Sequence, residues 1–341
     1  MKKVTIILLY SFSLTIPAIA QHCITGVLDP RIAVLLKDAI HDIPPAIPNI
    51  PVEQIQKDRQ KADSSYGIGD LHRIKVTADS IPISVFNTAH EKELPVIIYY
   101  HFGGFILPLL PTMEQACWKM SANYHAVVFG VDYRIPPEHK YPSAVNDAYN
   151  SFKWILKHAQ ECGGDTTKII LFGESTGAAL VAVMCQKAKE EGLTNKIKLQ
   201  ILICPPLDNP RNCATYPSYQ QYAKGYVLTK EFMFFSQQLY SDEINFNNPE
   251  VSPLAAKDLT GLPPALVISA EFDILRDEDE LYAIRMRKAG VKVEYKCFPG
   301  QIHILIGLPP ESAEIKDLTN LILYAINENI KKNSQSVKKK M

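Results

Sequence analysis

The stretch that decides the fold is Ile169-Ile170-Leu171-Phe172-Gly173-Glu174-Ser175-Thr176-Gly177-Ala178-Ala179-Leu180-Val181-Ala182. Its first four residues form an apolar run suited to a buried strand, and its last five open a helix. The G-x-S-x-G between them turns strand into helix within a few residues. Such a turn crowds backbone against backbone, so Gly173 and Gly177 supply clearance. It lifts the Ser175 hydroxyl above the sheet edge. It also sets the Thr176 N–H at a helix N-terminus, where negative charge is favoured. Three fixed positions match by chance about 0.1 times in a chain of this length. The flanking strand and helix are what make a nucleophilic serine the specific reading.

Outward from this turn the chain alternates. Apolar, strand-like runs lie at Leu94–Tyr100, Ala126–Asp132, Lys168–Phe172, Ile197–Ile203, Ala265–Ala270 and Lys292–Phe298. Helix-like segments lie at Met113–Tyr124, Ser143–Ala159, Thr176–Lys189, Glu278–Ala289 and Ala313–Ile330. Continuous apolar strands alternating with helices imply a mostly parallel, twisted α/β sheet covered on both faces. Residues 72–87 alternate as a hairpin. Residues 29–62 are helix-like, broken by Pro44, Pro45, Pro48 and Pro51. Residues 207–250 interrupt the alternation with Tyr216, Tyr219, Tyr222, Tyr226, Phe232, Phe234, Phe235 and Tyr240. That aromatic insertion suits a helical cap, and also simple packing on the core. No repeat or long linker divides the chain, so residues 21–330 read as one domain, with a cap from about 21–60 and 207–250.

A serine hydroxyl is a weak nucleophile and needs a base. In a fold of this kind the order is Ser, then Asp or Glu, then His. Eight of the nine histidines precede Ser175, and only His303 follows, in a loop after a strand. The acid should lie past a strand end at the same sheet edge. Asp273 does so in Glu271-Phe272-Asp273-Ile274-Leu275-Arg276-Asp277-Glu278. Asp277 and Glu278 are the alternatives, with helix capping as their ordinary role. An oxyanion needs backbone N–H donors, and paired glycines let the main chain approach closely. Gly103 and Gly104, after the strand at 94–100, are assigned to this beside Thr176; an ordinary glycine turn is the competing reading.

The motifs His101-Phe102-Gly103-Gly104-Phe105, Val131-Asp132-Tyr133-Arg134-Ile135-Pro136-Pro137-Glu138-His139, Gly173-Glu174-Ser175-Thr176-Gly177 and Asp273-Ile274-Leu275-Arg276-Asp277-Glu278, with His303, come in the order of one family. Over about residues 70–325 the chain resembles the hormone-sensitive-lipase-like α/β-hydrolase esterases, whose motif is H-G-G-G. The resemblance implies Ser175 as nucleophile, Asp273 as acid, His303 as base and Gly103, Gly104 and Thr176 as oxyanion donors. It implies a carboxylic-ester hydrolase working through an acyl-enzyme, with no metal or organic cofactor. Three positions depart from the family pattern. Phe102 replaces the first glycine of H-G-G-G, Glu174 the usual aspartate and Thr176 the usual alanine. A phenylalanine would be strained where φ is positive. Either the loop therefore differs locally or the ring lines the pocket, and Phe102 and Phe105 are expected to contact substrate.

Composition narrows the remaining choices. The chain has 341 residues, 47% hydrophobic and 21% charged, with 36 bases and 36 acids. These values disfavour disordered, collagenous, coiled-coil and polytopic membrane proteins. Two lysines lie in residues 1–20 and five in 331–341, leaving 29 bases against 36 acids between them. An acidic body repels phosphate backbones, which disfavours nucleic-acid binding. Residues 331–341 read as a basic, disordered tail. Met1-Lys2-Lys3, an apolar run to Ile16 and Ala18-Ile19-Ala20 have the form of a signal peptide cleaved after Ala20. The expected location is periplasmic or secreted, without a stable membrane anchor; an uncleaved anchor is the alternative. Seven cysteines at 23, 117, 162, 185, 204, 213 and 297 contain no C-x-x-C pair and leave at least one thiol unpaired. Export permits disulfides, with the pairing open.

The expected substrates are short-to-medium acyl or aryl esters, favoured by an aromatic, confined pocket. The same triad serves amides, thioesters and other acyl groups, so an amidase or deacetylase is one rival. A non-catalytic small-molecule-binding relative is the other, disfavoured by the joint presence of Ser175, Asp273 and His303. A homodimer is allowed for.

Overall fold

The computed structural model describes residues 23–38, 52–64, 73–305 and 307–338. The signal-like segment and its cleavage point therefore lie outside the described residues. Two helices open the described chain, α1 (Pro30–Asp38) and α2 (Val52–Ser64). A hairpin of β1 (Ile74–Ala78) and β2 (Ile81–Phe86) follows. Strands and helices then alternate: β3 (Leu94–Tyr100), α3 (Pro111–Tyr124), β4 (Val127–Val131), α4 (Ser143–His158), β5 (Gly164–Glu174), α5 (Thr176–Glu190) and β6 (Ile197–Ile203). The aromatic insertion forms α6 (Pro210–Cys213), α7 (Pro217–Gln221) and α8 (Lys230–Tyr240). The chain closes through β7 (Ala265–Phe272), α9 (Arg276–Lys288), β8 (Val293–Ile302) and α10 (Ala313–Lys338).

The strands form one eight-stranded sheet in the order β1-β2-β4-β3-β5-β6-β7-β8. The pairs β1–β2 and β2–β4 are antiparallel and every other pair is parallel. Side chains alternate across a strand, so a strand covered on both faces must be apolar throughout. On β5, Ile169 and Leu171 enter the core beneath α4, α5 and α9, while Ile170 and Phe172 enter the core beneath α3 and α10. On β3, Val96, Ile98 and Tyr100 take the first face and Ile97 and Tyr99 the second. This is why these strands read as continuous apolar runs.

At the other end of the chain α10 continues to Lys338. The tail expected to be disordered from residue 331 is therefore mostly helical. The segment 313–338 holds no proline or glycine to stop the helix, and lysine is a good helix former.

The N-terminal segment is fastened to the edge of the sheet. Cys23 and Cys297, on β8, form a disulfide with a Cα–Cα distance of 5.5 Å. The other five cysteines are free thiols, four of them buried. Beside the disulfide, the Glu271 carboxylate, wholly buried near the end of β7, accepts four hydrogen bonds. Thr25 N (2.6 Å) and Gly26 N (2.7 Å) donate to Oε1, and Thr25 Oγ1 (2.8 Å) and Gly300 N (2.8 Å) to Oε2. Ile32 of α1 then packs with Tyr222, Val227, Phe272 and Ile302.

Candidate active site

The turn after β5 is as tight as its glycines require. A Cβ on Gly173 would stand 2.3 Å from the Gly177 carbonyl oxygen, and one on Gly177 2.0 Å from that of Tyr100. Neither obstacle is a side chain that could move aside. Ser175 takes φ +49° and ψ −124°, a strained conformation for a non-glycine residue. Its N–H donates to the Ile203 carbonyl at the end of β6 (2.8 Å), and its carbonyl accepts from Ala178 N (2.9 Å). The strain is thus held from both sides, and Ser175 serves as the N-cap residue of α5. Thr176, the first residue of that helix, has a backbone N–H with no intrahelical acceptor.

Asp273 follows β7 and is 1% exposed; Leu275 N donates to its Oδ1 at 3.0 Å. His303 follows β8, 5% exposed. Its Nδ1 lies 2.7 Å from Asp273 Oδ2 and its Nε2 3.0 Å from Ser175 Oγ. A carboxylate only accepts, so Nδ1 carries the proton and Nε2 faces the serine as an acceptor. The structure thus brings together the three residues singled out from the sequence. The alternative acids face elsewhere. Asp277 accepts from Ser218 N (2.8 Å) and pairs with Arg276 (2.9 Å). Glu278 accepts from Leu207 N (3.0 Å) and Asp208 N (2.7 Å), and so fastens the start of the insertion.

One neighbour of the triad carries no sequence signal. The Cys204 thiol, wholly buried after β6, accepts from Ile304 N (3.4 Å). Potential ligand atoms of Cys204, Asp273 and His303 lie within 4.8 Å of one another. The short Asp273–His303 hydrogen bond already engages two of the three. Burial, reinforced by the charge of Asp273, pushes the Cys204 thiol pKa well up, so it stays neutral beside the serine. Glu174, next to Ser175, accepts a hydrogen bond from the Tyr99 hydroxyl at 2.6 Å. Burial raises its pKa, while that bond opposes the rise.

The loop after β3 brings glycine backbone to the same place. Gly103 (φ +132°) and Gly104 (φ +64°) line one cavity with Ser175, Thr176 and His303. The cavity has a volume of about 390 Å³ and is lined besides by Phe102, Val227, Leu228, Phe232, Ser236 and Ile304. Phe102 contributes a cavity wall, and Phe105 is the loop phenylalanine whose φ is positive, at +55°. The backbone strain considered for Phe102 thus falls three residues on. Phe105 is not among the residues lining the cavity, contrary to its expected contact with substrate. Its ring is buried, stacked on Tyr240 at the end of α8 with centroids 3.9 Å apart.

Behind the loop, the His101 ring is wholly buried and stacks on Tyr133 at 4.2 Å. Its Nδ1–H donates to the Phe102 carbonyl (2.8 Å), and the Tyr133 hydroxyl donates to the His101 carbonyl (2.7 Å). Burial lowers the His101 pKa to about 4, so the ring is neutral at pH 7.

A strained serine elbow at the carboxyl edge of this sheet, meeting a histidine and an aspartate from later strand ends, places the chain in the class of α/β hydrolases. Comparison with known proteins agrees. A family model described as alpha/beta hydrolase fold matches residues 97–306. An arylesterase of Saccharolobus solfataricus is 32% identical over 288 residues, 80% of this chain and 91% of that protein. A carboxylesterase of Mycobacterium tuberculosis is 32% identical over 228 residues, 65% of this chain and 70% of that protein. A solved hyperthermophilic esterase from Pyrobaculum calidifontis is similar with a TM-score of 0.77 and 32% identity, over 89% of this chain and 98% of that one. The chain belongs to the hormone-sensitive-lipase-like family of α/β hydrolases.

Proposed function

We propose that the protein is a serine carboxylic-ester hydrolase acting on short-to-medium acyl or aryl esters. The observation that carries this reading is the Asp273–His303–Ser175 chain of hydrogen bonds, 2.7 and 3.0 Å long, opening into an apolar cavity. Its esterase relatives support it. His303 Nε2 takes the Ser175 proton as Oγ attacks the ester carbonyl carbon. Asp273 holds the imidazole in the required tautomer and stabilises the imidazolium that forms. The oxyanion rests on the N–H groups of Gly103, Gly104 and Thr176. His303 returns the proton to the leaving alcohol, then deprotonates the water that releases the acyl group.

A volume of about 390 Å³ lies at the low end for small-molecule pockets and suits acyl chains of modest length or an aromatic ring. The elements α1, α2 and α6–α8 are read as the cap that closes it. Export to an oxidising compartment, periplasmic or extracellular, accords with the signal-like N-terminus and the Cys23–Cys297 disulfide. Among the described residues no helix is long and apolar enough to cross a membrane.

The test is hydrolysis of p-nitrophenyl esters of increasing acyl length by residues 21–341 and by the Ser175→Ala variant. Turnover should peak at short chains and fall roughly a million-fold in the variant. Retained turnover in Ser175→Ala refutes the assignment.

A further inference from the structure

Helix α8 reaches the oxyanion loop through one face. Thr229 caps it, its hydroxyl accepting from Phe232 N at 3.1 Å. Phe232 and Ser236, four residues apart, share the face that meets Gly104. A Cβ on Gly104 would stand 2.9 Å from the Phe232 ring and 3.7 Å from Ser236 Oγ. The Ser236 hydroxyl, 5% exposed, donates to the Gly104 carbonyl at 2.6 Å.

That contact bears on the proposed chemistry. Glycine has little conformational preference of its own, so neighbours must select φ +64° at Gly104. The peptide before its Cα is held by Gly103, whose carbonyl accepts from Ile106 N (2.8 Å) and Leu107 N (3.1 Å). The Gly104 N–H belongs to that peptide. The peptide after its Cα is held by Ser236. Fixing both planes fixes the Gly104 dihedrals between them, so the peptide that carries the Gly104 N–H cannot swing relative to the docked helix.

We infer that Ser236 is a positioning residue for the oxyanion hole, acting through the Gly104 carbonyl, so that docking of α8 completes the hole. This inference rests on the esterase reading above. Catalytic donors are effective because they need not reorganise during the reaction. Without Ser236 the Gly104 carbonyl loses its partner under the helix, and the loop gains freedom to turn its N–H groups aside. Outright removal of one oxyanion donor costs about 100- to 1000-fold in kcat; loosening one should cost less.

The experiment compares wild type, Ser236→Ala, Ser236→Thr and Ser236→Val on p-nitrophenyl butyrate, with melting temperatures recorded. Threonine keeps the hydroxyl and valine replaces it by a methyl of similar size. We expect kcat to fall roughly tenfold in the alanine and valine variants with KM within twofold, and threonine to restore most of it. Binding of an aryl trifluoromethyl ketone, which forms a tetrahedral adduct on serine, should weaken by the same factor as kcat. Binding of a non-reacting alcohol should not change. Wild-type kcat in both Ser236→Ala and Ser236→Val, or equal loss in the threonine and valine variants, overturns the inference. So does a loss confined to KM. A wild type that hydrolyses no ester overturns the esterase reading, and this inference with it.

Discussion

Replacing Glu271 by glutamine tests the account of how the N-terminal segment is held to the site. The carboxylate takes two donors on each oxygen: Thr25 N and Gly26 N on Oε1, Thr25 Oγ1 and Gly300 N on Oε2. Glutamine offers one oxygen and one NH2 group. Whichever way it turns, it satisfies one pair and directs N–H groups at the other. At about 1.5–3 kcal/mol for each hydrogen bond to a charged group, losing two costs about 3–6 kcal/mol. This is a large fraction of the 5–15 kcal/mol typical of a whole fold. The melting temperature should fall roughly 10 °C. The Cys23–Cys297 bond still tethers the segment, so the variant should fold. Gly300 lies three residues before His303, and Glu271 two before Asp273. Turnover should therefore fall several-fold even well below the melting point. Calorimetry at pH 7 on the oxidised protein, with ester kinetics at 25 °C, gives both quantities. A shift below 2 °C with unchanged kcat would refute the clamp.

Two further predictions concern the disulfide and a buried histidine. Without reductant the unfolded protein should show five titratable thiols, and seven after reduction. Cys23→Ser should lose about 2–4 kcal/mol of stability, and seven thiols in unreduced protein would sink the pairing. His101, with a folded pKa of about 4 against 6.5 when unfolded, binds protons more readily in the unfolded chain. Its contribution is fully present above pH 6.5 and is lost as pH falls toward 4, up to about 3 kcal/mol. NMR of its imidazole should show a neutral ring at pH 5.5, and titration near 6.5 would contradict the burial argument.

Much of this protein was legible in its order of residues, because the signals are local. The alternation of apolar runs and amphipathic helices follows from burying a parallel sheet on both faces. The elbow is legible because only glycine tolerates carbonyl oxygens about 2 Å from a Cβ position. His303 stood out as the one histidine after Ser175, and the geometry puts it between Asp273 and Ser175. Asp273 and Asp277 were harder to separate. Both follow β7, and they are told apart by the hydrogen bond of Asp273 to His303 and by the packing of Ser218 and Arg276 on Asp277.

What the tertiary structure alone decided involves partners distant in the chain. Cys23 and Cys297 are 274 residues apart, and nothing in the spacing of seven cysteines pairs them. Glu271 looks like one acid among several until Thr25, Gly26 and Gly300 converge on it. Phe102 and Phe105 flank the same glycines, yet one walls the cavity and the other packs on Tyr240, a partner 135 residues further along the chain. Ser236 sits in an aromatic helix without a motif, and gains its place only when α8 lies against Gly104. Local sequence therefore determined the elements and the reactive turn. Which distant groups hold that turn, its base and its oxyanion donors in register depended on long-range packing, which carries no local periodicity.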